Sequence, residues 1–326
     1  MNLVITIDTE EDDWATYRRE GSGLRNIERI PDLQRLFDEF RVRPTYLIDY
    51  PVATDPRTSA LFRELAKDGR CEIGAHCHPW NTPPFREEIS ARNTMLCNLD
   101  PGLQYEKVRA LHGAISENVG AVPACFRAGR WGFDAEVAET IARLGYRIDT
   151  SVTPYTDWTR YGGPDFSEES PGMKRIDGDG ADSPRGHGGL LEVPTTIGFL
   201  QRDFQRSNRL YRRITGTAWK KTRMLGVLDR LRLLNKVWLS PENSGTAEMI
   251  GLTRAMAGNG YPVVNLTFHS PSLVEGLTPF VQEEGDAKRF FRKIREYLEF
   301  ARSEGIASIV LSEAAGPPAT GAPRTP

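Results

Sequence analysis

LVITIDTEED, residues 3–12, is the stretch on which the fold turns. Its first five residues are apolar or β-branched, the composition of a buried strand. Acids begin at Asp8, where the apolar run stops. The same form, a short apolar run ending on polar residues, recurs along the chain. It is seen in PTYLIDY at 44–50, CEIGAH at 71–76, ACFRAG at 124–129, YRIDTSV at 146–152, LLEVPTT at 190–196, YPVVNLTFH at 261–269 and ASIVLSE at 307–313. Between these runs the spacing predicts helices near 27–41, 57–68, 103–118, 134–145 and 285–304. In the first, Ile30, Leu33, Leu36 and Phe37 fall at helical intervals. Strand–helix alternation of this kind predicts an α/β protein with a largely parallel sheet. Seven or eight such strands predict a closed or nearly closed (β/α)7–8 barrel, with its chemistry at the strand ends.

Two regions break the alternation. Residues 156–188 are rich in Gly, Asp, Ser and Pro and read as a surface excursion. Residues 202–242 are basic and partly apolar and read as a helical insertion, so the barrel spans 1–314 with an insertion at about 156–245. The last residues, 315–326, have too little apolar content to fold and are expected to be disordered. The chain of 326 residues carries a formal net charge of −2, which excludes the basic excess of a nucleic-acid binder. Its four cysteines form no C-x-x-C pair and fit reduced thiols. The N-terminus lacks a basic start and a long apolar run, so the expected compartment is the cytoplasm.

The chain has only five histidines, and His76, His78 and His269 sit at or just past strand ends. In EIGAHCHPW, His76 and His78 are two apart and share a face if the strand continues. Two imidazoles on one face suit zinc or another divalent transition metal. Asp8 and Glu10 are likewise two apart. One would complete a two-histidine, one-carboxylate metal site and the other would act as a base; a solvated acidic turn is the alternative. In FRAGRWGFD, Arg127 and Arg130 flank a glycine, placed to orient a carboxylate or hold a substrate oxygen. Asp149 lies near a strand end, where turn capping is the alternative role. His269 follows an apolar run and is a candidate proton donor.

Taken together, these segments resemble the polysaccharide deacetylase family, also called the NodB-homology domain or carbohydrate esterase family four. They occur in the family's order and span roughly residues 3–313. The resemblance implies a distorted (β/α)7–8 barrel of the NodB-homology type. It implies that Asp8 is the catalytic base and that Glu10, His76 and His78 hold the metal. It further implies that Arg127 tethers the base, that Asp149 tunes the acid, and that His269 is the acid. Leu266, three residues before His269, would wall the acyl methyl. Arg130, Trp131 and Trp80, in the same segments, are expected to line the substrate. The chain departs from the family in its Asp-Thr-Glu order, its close H-x-H spacing, and Gly129-Arg130 where Pro-Tyr is usual. Whether Asp8 or Glu10 meets the metal therefore stays open.

The implied reaction is metal-dependent removal of an N-acyl group, expected to be acetyl, from an amino sugar, with Zn2+ as the expected ion. Without a secretion signal, the expected substrate is a cytoplasmic intermediate of glycan biosynthesis: a nucleotide sugar, a lipid-linked sugar or another soluble N-acyl sugar. The segment 206–236 holds ten Lys and Arg against one acid, Asp229, with Leu225, Leu228, Leu231, Leu234 and Trp238 near helical spacing. It could touch anionic lipid or phosphate, or pack on the barrel with a solvated face. Other readings are a hydrolase of a non-sugar amide on the same fold, a non-haem iron oxygenase, and a non-catalytic sugar-binding protein.

Overall fold

Among the described residues there are thirteen strands: β1 (Asn2–Thr9), β2 (Thr45–Ile48), β3 (Glu72–Cys77), β4 (Cys125–Ala128), β5 (Ile148–Asp149), β6 (Thr156–Asp157), β7 (Asp165–Phe166), β8 (Lys174–Ile176), β9 (Leu190–Glu192), β10 (Ile197–Phe199), β11 (Lys236–Trp238), β12 (Val263–His269) and β13 (Ala307–Ser308). Nine α-helices accompany them among the described residues: α1 (Ile30–Phe40), α2 (Tyr50–Thr54), α3 (Pro56–Lys67), α4 (Pro101–Ala114), α5 (Ala135–Arg143), α6 (Phe204–Thr215), α7 (Met224–Arg230), α8 (Thr246–Gly258) and α9 (Asp286–Ser303). The computed structural model describes residues 1–12, 14, 16–176, 189–216 and 224–316. The expected disorder from 317 onward, His187, and Lys220, Lys221 and Arg223 of the basic segment fall outside these residues.

The helices start where capping chemistry dictates. Asp55 accepts from the N–H groups of Arg57 and Thr58 ahead of α3, and Pro56 takes the first helical position. Asp134 caps α5 through the N–H of Val137 at 3.0 Å.

The main sheet runs β12-β1-β2-β3-β4-β5-β9-β8, with β13 added beside β1. All its pairings are parallel except β8 with β9. The sheet curls. Its β9 side is tied back to β12 by Thr196 and Leu239, through Thr196 N to Asn265 O (3.2 Å) and Thr267 N to Leu239 O (3.1 Å). Strand alternation then separates two apolar clusters. Val4, Leu47, Cys125, Ile148, Val193, Val263 and Leu311 pack together on one face. On the other face Leu3, Ile5, Ile7, Phe126, Leu266 and Phe268 pack beneath the helices. The fold is therefore the expected α/β barrel type, as a mixed, curled sheet ringed by helices.

Three expectations change in detail. The runs at 146–152 and 307–313 pair over only Ile148–Asp149 and Ala307–Ser308, and the second turns into a 3-10 helix at Leu311–Ala315. The excursion at 156–188 contains the small β6–β7 pair and β8, which joins the main sheet. The segment 202–242 is not purely helical: after α6 and α7 it runs as β11 antiparallel to β10. Its expected apolar stripe also divides. Leu231 is exposed and Leu234 is buried. Lys236 turns inward and donates to Tyr155 O. Among the described residues no helix is long and apolar enough to cross a membrane.

Candidate active site

Sheet register builds the site. Asp8 of β1 and His269 of β12 are register partners, as are His76 of β3 and Arg127 of β4. Partners in a parallel sheet share a face, so four candidates separated by up to 261 positions in the chain converge at the same strand ends.

Glu10 and Glu11 follow β1 directly. Glu10 Oε2 lies 3.3 Å from His76 Nε2 and 3.2 Å from His78 Nε2. The two Nε2 atoms are 2.8 Å apart. The outer nitrogens are also occupied. His76 Nδ1 lies 3.3 Å from Arg127 O, and His78 Nδ1 lies 3.3 Å from Glu11 Oε2. With acceptors at both Nδ1 atoms, both Nε2 atoms are turned toward Glu10, the ring orientation a metal-ligand pair needs. Three buried donors converging in this way fit a divalent cation. Glu11 also accepts from Trp80 Nε1 (3.0 Å) and Asn81 Nδ2 (2.9 Å), and Asn81 Nδ2 reaches Asp49 Oδ2 at 3.1 Å. Gly129 is required beside this arrangement. A Cβ there would stand 2.5 Å from the His78 ring and 2.8 Å from Cys77 O.

Asp8 makes a buried ion pair with Arg127 and lies 3.5 Å from His269 Nε2. Arg127 is wholly buried and satisfied. It donates to Thr150 O (2.9 Å), Thr267 Oγ1 (2.9 Å), Thr6 Oγ1 (2.8 Å) and Thr150 Oγ1 (3.1 Å). Burial pushes the Asp8 carboxyl up, but Arg127, His76 and His269 outweigh it and hold it below the usual carboxylate range.

His269 Nδ1 lies 3.0 Å from Glu242 Oε2, and its backbone N–H donates to Glu242 Oε1 at 3.0 Å. Ser272 Oγ donates to the same carboxylate at 2.6 Å. Burial lowers the imidazolium pKa, but Glu242, Glu10 and Asp8 push it up to about 10. The carboxylate against the candidate acid is thus Glu242, not Asp149. Asp149 is placed elsewhere by strand alternation. Its neighbours Ile148 and Thr150 face the barrel interior, where Ile148 joins the inner cluster and Thr150 binds Arg127. Asp149 points the other way, beside its register partner Glu192, and is held by Ser151 N and Oγ at 2.8 Å each.

Leu266 is displaced by the same rule. It lies three residues from His269, an odd step, so it faces the helix layer and packs in the outer cluster. Arg130, Trp131 and Trp80 do line the cavity with the histidines. Arg130 and Trp131 both have positive φ, 52° and 61°, in the turn after β4, a strained pair of a kind that clusters at functional sites. Trp80 stacks on His78 with centroids 4.1 Å apart.

The cavity, about 580 Å³, also takes Trp14, Tyr17, Trp158, Tyr161, Trp238 and Phe280. Sequence reading missed these, along with Glu11, Asp49 and Glu242. Glu11 was visible as the next acid in the run. Glu242 sits in SPENS, a stretch with no periodic or motif signal.

This arrangement defines a class: an α/β barrel with a buried carboxylate–histidine cluster beside an Asp8–His269 pair. Among solved structures the chain is similar to a probable polysaccharide deacetylase from Pseudomonas aeruginosa PAO1, at 12% identity over 96% of this chain and 89% of that one, with a TM-score of 0.53. It is similar to Puue allantoinase at 12% identity over 96% and 88% of the two chains, with a TM-score of 0.53. A 4-alpha-glucanotransferase from Thermococcus litoralis matches 99% of this chain but only 41% of its own, at 13% identity and a TM-score of 0.55. The fold is shared across these proteins, whose names carry different reactions. No family model and no curated protein matches the chain.

Proposed function

We propose that this protein is a metal-dependent amide hydrolase that removes a short N-acyl group, acetyl being the fitting size, from an amino sugar. The observation that carries the reading is the joint placement of Glu10, His76 and His78 as a metal cluster with Asp8 and His269 facing it. Zinc is the ion that a two-histidine, one-carboxylate set favours. Glu10, rather than Asp8, is assigned as the ligand because it meets both Nε2 atoms while Asp8 is held by Arg127. Bound there, the ion supplies Lewis acidity to the acyl carbonyl and lowers the pKa of water.

The chain's own residues do the rest. Asp8, kept ionised by Arg127, takes the proton of the attacking water. His269, kept protonated by Glu242, donates to the leaving amine nitrogen, without which the amine leaves very poorly. Glu11 fixes the ring of His78. The cavity lining favours a sugar over a fatty acyl chain. Eight aromatic residues line it, and among the described residues no Leu, Ile or Val does.

The test combines elemental analysis with acetate release from N-acetylated sugars by the metal-loaded protein. Asp8→Asn and His269→Ala should each lower kcat by about a hundredfold or more while the metal stays bound. Near-normal turnover in either variant removes that residue from its role, and a protein that binds no divalent ion sinks the reading.

A further inference from the structure

The basic insertion carries apolar side chains that nothing in the fold covers. Four of the eight large apolar side chains left exposed among the described residues lie within it: Leu210 at 44%, Val227 at 54%, Leu231 at 61% and Leu233 at 58%. Residues 202–216 and 224–233 also hold seven Arg against two Asp, in a chain whose net charge is −2. No described residue of α6 or α7 lines the active-site cavity, so the hydrolase reading gives this surface no task.

Local structure explains why these side chains point outward. α6 buries Phe204, Ser207, Asn208 and Ile214. Arg206, Arg209, Leu210 and Arg213, at helical steps of three and four, make its exposed face. Beyond α7 the chain reverses at Arg232, whose φ is 55°. Leu234 turns inward there, which leaves Leu231 and Leu233 outside. The turn is clamped. Asn235 Nδ2 donates to Asp229 O at 2.8 Å and to Asp229 Oδ1 at 2.7 Å. Gln201 Nε2 donates to Arg232 O at 3.0 Å, and Asn235 N donates to Gln201 Oε1 at 2.9 Å. Gln201 stands just ahead of α6, so these bonds hold the two leucines near that helix, and α6 and α7 are themselves in contact.

The charge faces outward too. Asp203 caps α6 at the Arg206 N–H (2.8 Å), Asp229 accepts from Asn235, and Arg212 pairs with Glu168. Among the described residues no ion pair engages Arg206, Arg209, Arg230 or Arg232. Guanidinium groups bind phosphate oxygens through paired N–H donors, and aliphatic side chains beside them enter the boundary between headgroups and acyl chains. A nucleic acid would take the arginines but is gripped by aromatic stacking, and the exposed apolar side chains here are all aliphatic. A second copy of the chain would set arginine against arginine.

We propose that α6, α7 and the turn at 231–233 form a docking surface for a bilayer carrying anionic phospholipid. Leu210, Val227, Leu231 and Leu233 enter the bilayer surface and the arginines hold its phosphates. The proposal goes beyond the hydrolase reading and does not depend on it.

The test is co-sedimentation of the full-length protein with vesicles of phosphatidylcholine, alone or with about 30% phosphatidylglycerol, at about 0.1 M NaCl. Most of the protein should sediment with the anionic vesicles and little with the neutral ones, and about 0.5 M NaCl should weaken the binding. Leu231→Ser/Leu233→Ser and Arg206→Gln/Arg209→Gln alter only exposed side chains. Each should lower vesicle affinity by about tenfold or more at an unchanged Tm. No sedimentation with anionic vesicles, equal binding to neutral ones, or unchanged affinity in either variant overturns the proposal. A dimer in sedimentation velocity that the leucine pair dissolves would give the face to a second copy and overturn it as well. Tighter binding to single-stranded RNA, untouched by the leucine pair, would give it to nucleic acid with the same result. Acetate release from soluble N-acetylated sugars should be equal in both variants and the unaltered protein, so the membrane surface and the hydrolase reading stand or fall separately.

Discussion

A histidine that must give up a proton near neutral pH has to be held protonated until the bond breaks. In the proposed reaction Glu242 would do this for His269, since it contacts both the ring and the backbone N–H. The sign of the resulting pH dependence follows. His269 donates only while protonated, so turnover falls as pH rises through its pKa, which lies high at about 10. Glu242→Gln keeps the shape but removes the charge that raises this pKa most. The alkaline limb of the kcat profile should therefore move down by roughly 1–3 pH units, the usual effect of one close opposite charge. A limb left in place would show that His269 is not the acid, or that Glu242 does not govern it. Asp149→Asn, by contrast, should leave that limb unmoved, since Asp149 faces away from His269.

At the scale of the strand, two side chains predicted for the site belong to the packing instead. Leu266 lies in the outer cluster opposite Ile5, its register partner. Leu266→Ala should cost about 2–5 kcal/mol of stability, read from denaturant unfolding, by opening a cavity under the helices. KM for the sugar should stay within about twofold, because no substrate contact is lost. Asp149 and Glu192 are a buried carboxyl pair on adjacent strands. Burial pushes both up, and the pair's mutual repulsion pushes Glu192 further. Their native pKa values are raised, so the native state keeps protons that the unfolded chain releases above the ordinary carboxylate range. The stability they contribute is present below that range and lost as pH rises through the native values. Glu192→Gln, which still accepts from Val152 N, should remove this loss. Its Tm should exceed that of the unaltered protein at pH 7.5 by a few degrees, roughly 2–4 °C per kcal/mol, and by less at pH 4.5. Equal Tm gains at both pH values would show that the pair does not titrate.

Across the whole molecule, the cluster of Glu10, His76 and His78 joins β1 to β3, so metal binding should also clamp the sheet. A ligand that binds only the native state stabilises it by about 2.7 kcal/mol at a hundredfold excess over Kd. Chelation should therefore abolish turnover and lower Tm together, and zinc should restore both. Loss of activity with no change in Tm would place the ion outside this cluster. The insertion, read from sequence as basic and helical, meets the cavity at its end. Trp238 and Glu242 line the cavity there, while no described residue of α6 or α7 does.

What the sequence by itself determined was periodic and local. Short β-branched runs alternating with helical spacing specify the parallel sheet. Pairs two residues apart at a strand end, Asp8 with Glu10 and His76 with His78, specify a shared face. The tertiary structure alone decided which face each strand turns inward. A shift of one position on a short strand reverses it, so Asp149 and Leu266 were legible as motif residues but not as packed ones. It alone also decided what comes from afar. Glu242, Trp158 and Trp238 reach the cavity through β10–β11 pairing and loop clips, and such long-range contacts leave no period or spacing in the chain to read.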